Sequence, residues 1–209
     1  MSHPRCLLLC LFLTLSGCSN LLHSDAPALQ LYVLQPPALP AQNATAVATL
    51  RISRPLPGPG LNTDRIALLQ MGDRLDYYAG SRWSAPLPDI VADLELAAFR
   101  GDASLGAVVD DRSSFNADYL LQTSIARFTA EYATASAAPL IRVELHFLLI
   151  RRSDATLVGN FAQSERQQAQ ENRMASVVAA FSAAADRAII AAAAQTDTLL
   201  RSAKSPTAP

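Results

Sequence analysis

Leu140-Ile141-Arg142-Val143-Glu144-Leu145-His146-Phe147-Leu148-Leu149-Ile150-Arg151 alternates apolar and polar side chains over most of its length. Ile141, Val143, Leu145, Phe147 and Leu149 fall on one row, and Arg142, Glu144 and His146 on the other. Successive side chains of a strand point to opposite faces, so this period of two predicts a strand with one face on a core. Leu148 and Ile150 make the end of the second row apolar too, and a helix is expected to cover that end. Ser153-Asp154 then supplies a turn into a further strand over 156–165.

Toward the N-terminus, strands are expected over 118–132, 107–109, 44–52 and 29–34, the last being Leu-Gln-Leu-Tyr-Val-Leu stopped by Pro36-Pro37. Pro55-Leu56-Pro57-Gly58-Pro59-Gly60 reads as a loop. Short strands over 65–70 and 74–78 flank Met71-Gly72-Asp73, which suits a hairpin. A helix is predicted over 84–100, with Pro86 and Pro88 at its start, where a missing N–H costs little, and Gly101 as its terminator. Its apolar stripe is Ile90, Val91, Leu94, Ala97 and Ala98, with Asp89, Asp93 and Glu95 toward the positive end of its dipole. A second helix is predicted over 172–200, its stripe Met174, Val177, Val178, Phe181, Ala185, Ala188, Ile189, Ala192 and Leu199. Asp186 and Arg187 interrupt it and leave uncharged runs too short to span a bilayer. The order of elements predicts an α/β fold: a single domain over 29–201 with a mixed β-sheet covered by two long helices, and a frayed tail over 202–209.

The 209 residues carry 17 basic and 18 acidic groups, a balance that gives no electrostatic footprint for nucleic acid. Every basic residue but Lys204 is arginine. A phosphate-binding loop of the Walker type, a lysine Schiff base and a Ser-Lys nucleophile pair each need an ordered lysine, which argues against all three.

Residues 1–17 read as an export signal: Arg5 in a short polar start, then an apolar core of about ten residues, too short to span. Leu15-Ser16-Gly17-Cys18 resembles the lipobox of bacterial lipoproteins, so Cys18 is expected to be lipidated and to become the mature N-terminus. Residues 18–28 form a polar tether, and Ser19 in place of aspartate suggests export to the outer membrane. Cys6 and Cys10 leave with the signal, so the mature domain keeps no free thiol for a disulfide, a zinc site or a nucleophile.

Few residues suggest covalent chemistry. His23 falls in the tether, while His146 stands two residues from Glu144 on one strand face, either an acid–base pair or part of a polar sheet face. Asp73/Asp76, Asp89/Asp93 and Asp110-Asp111 are paired in sequence, but two carboxylates across a cleft, as in a glycosidase, are not suggested. No catalytic residue, metal site or cofactor is assigned. The unusual segment is Asp76-Tyr77-Tyr78-Ala79-Gly80-Ser81-Arg82-Trp83-Ser84-Ala85-Pro86-Leu87-Pro88, which holds the only tryptophan. Tyr, Trp and Arg are favoured at binding hot spots, and a bulky strand-to-helix corner can equally fold them into the core.

The lipobox cysteine, the Leu-Tyr-Val-Leu strand, Leu61-Asn62-Thr63-Asp64-Arg65-Ile66 and Tyr77-Tyr78-Ala79-x-x-Arg82-Trp83-Ser84-x-Pro86-Leu87-Pro88 together resemble the ABC-type transport auxiliary lipoproteins (PqiC/YmbA-like). The resemblance implies a fold similar to the N-terminal domain of TolB. It also implies a non-enzymatic, outer-membrane component of an ABC/MCE-type system moving lipid or another hydrophobic solute across the periplasm. Its partners would be an MCE-domain protein with the associated ABC permease and ATPase, and the membrane through the lipid anchor. A homo-oligomer is left open. Tyr77, Tyr78 and Arg82 are the expected partner-contact residues. The alternatives are a structural envelope lipoprotein without a transport partner, or a periplasmic hydrolase using His146 and Glu144.

Overall fold

The computed structural model describes residues 28–37, 48–71, 73–101 and 105–204. The signal, Cys18, nearly all of the tether and the last five residues lie outside them. In chain order the described residues form β1 (Gln30–Tyr32), β2 (Ala48–Ile52), β3 (Leu56–Pro57), β4 (Arg65–Gln70), β5 (Arg74–Trp83), α1 (Leu87–Arg100), β6 (Leu105–Val109), β7 (Tyr119–Glu131), β8 (Leu140–Arg151), β9 (Thr156–Gln168) and α2 (Met174–Lys204).

β7, β8 and β9 form a long antiparallel meander, with β8 paired to both neighbours over its whole length. The other edge of β7 is shared by three short parallel partners: β2 at Tyr119 to Leu121, β3 at Ser124 and Ile125, and β4 at Ala130 and Glu131. β6 extends the β2 wing, and β5 followed by β1 extends the β4 wing. The sheet is therefore mixed, and it forks at β7.

The row Ile141, Val143, Leu145, Phe147 and Leu149 is fully buried, as its alternation predicts. α2 lies against it and β9 with Val177, Phe181, Ala184, Ala185, Ala188, Ile189 and Ala192, none more than 1% exposed. Phe181 stacks on Phe128 of β7 at 5.0 Å between ring centroids, and Trp83 meets it edge-on at 5.4 Å. α1 packs beside α2, toward β2, β3 and β6, so both helices cover one face. By length and composition α2 could cross a bilayer, yet half of its most apolar stretch is buried in the protein, as in the core helix of a globular domain.

Several boundaries differ from expectation, each for a local reason. β5 runs five residues past the predicted end because Gly80, at φ +65°, admits a bulge that carries the strand on to Trp83. α1 starts at Leu87 rather than at 84, since Ser84 N–H is held by Tyr32 O (2.8 Å) in the pairing of β1 with β5. Glu95 does not serve the helix dipole; it is 0% exposed on the buried stripe. α2 continues to Lys204, into the segment expected to fray. The largest correction concerns the second row of β8. Both helices lie on the opposite face, so Leu148 remains 37% exposed and no helix covers it.

Candidate docking surface

β4, β5 and the segment leading into β4 bring the distinctive residues together. Arg82 donates two hydrogen bonds from Nη1 to the Asp64 carboxylate, at 2.8 and 3.1 Å. Trp83 N–H donates to Asp64 O (2.7 Å), and Leu87 N–H to Thr63 O (2.9 Å). The Asp64-Arg65 and Arg82-Trp83 pairs, far apart in sequence, thus clamp the start of α1 to the β4–β5 hairpin.

Tyr77 and Arg82 share one face. They pair across strands with Ala67 and Arg65, residues two apart on β4, and the Gly80 bulge takes up the extra length. The Arg65 guanidinium sits 3.8 Å over the Tyr77 ring, an orientation favoured by the ring quadrupole. The Tyr77 hydroxyl donates to Gly60 O at 2.9 Å. Arg82 pairs in register with Leu31 of β1, and on that strand Leu29, Leu31 and Val33 form an exposed apolar row, 53, 62 and 55% accessible. Tyr32 and Leu34 turn the opposite way, toward the core. A row of large aliphatics beside Tyr and Arg has the make-up of a protein contact surface.

Tyr78 is placed elsewhere. Its hydroxyl lies 2.8 Å from that of Tyr132, which donates to Asn172 Oδ1 at 2.7 Å. Burial, reinforced by the bond to Tyr132, raises the Tyr78 phenol well above its usual range. Of the three expected contact residues, two share the open face and the third secures the chain just before α2. Trp83, 1% exposed, belongs to the core. The exposure of Leu29, Leu31 and Val33 was not foreseen, because both rows of Leu-Gln-Leu-Tyr-Val-Leu are apolar enough to have turned inward.

His146 Nε2 lies 2.9 Å from Glu144 Oε1, and that bond, ahead of the nearby guanidiniums, holds the Glu144 carboxyl low. Ser124 is directly across from His146 on β7, and the imidazole is about half exposed on the open face. Arg127, Glu131 and Arg142 extend this pair into a ladder of ions, with Arg127–Glu131 at 3.1 Å and Arg142–Glu131 at 3.4 Å. Asp89, Asp93, Asp110 and Asp111, separate in sequence, line one cleft of about 430 Å³ with Arg54 and Arg112. Arg54–Asp89 (2.5 Å) and Arg112–Asp110 (2.7 Å) neutralise part of it, and the Arg112 hydrogen bond lowers the Asp110 carboxyl. A general acid needs the opposite shift. Among the described residues no cluster of His, Cys, Asp and Glu is arranged to hold a metal ion.

This is a single mixed-sheet α/β domain in which Asp64, Arg65, Tyr77 and Arg82 come together on one surface. Residues 32–193 match the family described as ABC-type transport auxiliary lipoprotein component, and the chain belongs to that family. Among solved structures, a Xanthomonas campestris protein of the DUF330 family superposes with a TM-score of 0.74 at 22% identity, covering 83% of this chain and 98% of that one. An uncharacterised protein gives 0.64 at 12% identity (81% and 99% covered), and a hypothetical protein from Chlamydia trachomatis 0.55 at 7% (76% and 99%). These likenesses concern the fold. Comparison with curated proteins found no match in sequence.

Proposed function

We propose that the chain is an outer-membrane lipoprotein, anchored through Cys18, that docks an MCE-domain protein and so assists its ABC permease and ATPase in moving lipid or another hydrophobic solute across the periplasm. Family membership supports the transport-auxiliary role. The observation that carries the docking role is the exposed row Leu29, Leu31 and Val33 beside Arg82 and Tyr77, immediately after the tether. The apolar row would lose water on contact, while Arg82, fixed by Asp64, and Tyr77, fixed by Gly60, present preorganised polar groups at little entropic cost. Tyr78 supports the surface from behind rather than touching the partner.

The test is co-purification from detergent-solubilised membranes. The full chain should bring down an MCE-domain protein with its permease, and Leu31→Asp should reduce recovery by about tenfold or more, as expected for a central apolar contact. Failure of the unaltered chain to recover either component overturns the reading, as does full recovery by Leu31→Asp together with Arg82→Ala.

A further inference from the structure

β9 leaves one entire edge of the sheet open. It pairs with β8 alone, so the outward N–H and C=O groups of a 13-residue strand have no strand beside them among the described residues. Such edges are normally blunted by proline, charged side chains, a bulge or a covering element; β9 contains neither proline nor lysine, its register irregularity lies near its start opposite Leu149 and Ile150, and Glu165 and Arg166 are its only charges. α2 flanks this edge on the core side. Arg187 bonds Glu165 at 2.9 Å and Arg166 O at 3.2 Å, and Gln195 bonds Gln163 at 2.8 Å. Near the end of β9 a cleft of about 310 Å³ opens between Gln167 and Gln168, the charged Glu171 and Arg173, and the helix residues Ala175, Ala179 and Ala183.

On the open face the outward row of β9 is Asn160, Ala162, Ser164, Arg166 and Gln168, every one exposed. Arg166 stands directly across from Arg142, and like charges so placed repel. Arg142 is served by Glu131, whereas no carboxylate lies within ion-pair distance of Arg166 among the described residues. Apart from Arg166 O, which accepts from Arg187, the flank beside it is the place an added strand would occupy.

We infer that β9 accepts an extended segment of a different protein as a further strand, with one side chain directed into the cleft between Gln168 and α2 and a carboxylate beside Arg166. Main-chain hydrogen bonds would supply the general affinity, and the cleft and Arg166 the selectivity. A second copy of β9 that keeps its helix on the same side of the extended sheet offers Arg166 only the same row, and that row holds no acid. The β9 edge is separated from β1 and β5 by β4, β7 and β8, so this contact is independent of the surface proposed above.

The test is photo-crosslinking in intact cells, using the full-length chain with p-benzoylphenylalanine at Asn160 or Ser164. The expected adduct is with a different protein, and mass spectrometry should map it to a segment with Asp or Glu within two residues of the attachment point. Arg166→Glu should lower the yield by about tenfold, and Arg166→Lys should keep most of it. The Glu variant gains an ion partner in Arg142, so its Tm should not fall, which separates a lost contact from a lost fold. Adducts with a second copy only, no adduct from a folded chain, or an unchanged yield in Arg166→Glu would each overturn the inference.

Discussion

Glu95 lies inside the layer between α1 and the sheet at 0% exposure, with neither carboxyl oxygen in a hydrogen bond. Burial pushes its pKa up to about 8 from an ordinary 4.5, and Thr123 of β7, facing it without closing to a hydrogen bond, offsets only part of that. The native carboxyl is therefore neutral at pH 7, while that of the unfolded chain is ionised. The contribution of Glu95 to stability is full below about pH 4.5 and falls as the pH rises from there toward 8, by about 3 kcal/mol at pH 7. Glu95→Gln keeps the shape and removes the ionisation, so its Tm should equal that of the unaltered protein near pH 4 and exceed it clearly at pH 7 to 8. A Tm difference that stays constant across that range would refute this account. Sequence placed Glu95 on α1 but could not bury it, because the position two residues after Asp93 is solvent-facing or core-facing depending on what packs there.

Elements meet through a few close approaches that single substitutions can probe. Gly58 N–H donates to Ile125 O at 2.9 Å, and a Cβ at Gly58 would stand 2.8 Å from that same carbonyl. Gly58→Ala should push β3 off β7 and cost about 1–3 kcal/mol, read as a lower denaturation midpoint; an unchanged midpoint would show that the approach is not needed. At Gly80 a Cβ meets nothing within 4 Å, so only the backbone objects. Gly80→Ala should cost about 1–2 kcal/mol and Gly80→Asn less, since Asn tolerates the left-handed region; equal losses would point to some other cause. Phe181→Ala opens a hole between Phe128 and Trp83, and a loss of about 3–5 kcal/mol is expected in chemical denaturation. α2 itself was legible from its three-and-four spacing, and β8 from strict alternation. The length of β5 was not, because a bulge depends on which strands lie on either side of it.

On the scale of the whole molecule, the domain places both helices on one sheet face, and among the described residues no further helix or strand covers the other face or the β9 edge. The proposed lipid anchor lies in the N-terminal segment, outside the described residues. Cys18→Ala should move the protein from the membrane fraction to the soluble periplasmic fraction, and its retention in membranes would sink the lipid-anchor proposal. The order of the helices and of the other strands, the buried row of β8 and the buried stripe of α2 were determined by the sequence alone, because hydrophobic period and turn chemistry are local properties; β3 was not, since Leu56-Pro57 lies in a proline- and glycine-rich stretch that reads as a loop and becomes a strand only by pairing with β7. Membership of a lipoprotein family was determined by the sequence as well, through Asp64-Arg65 and Arg82-Trp83. Only the tertiary structure decided that β7 forks into two wings, that Asp64 holds Arg82, that Leu148 and Leu31 face outward, and that Arg166 has no carboxylate beside it among the described residues. Each of those depends on which distant segment comes to lie alongside, and no local pattern encodes its neighbour.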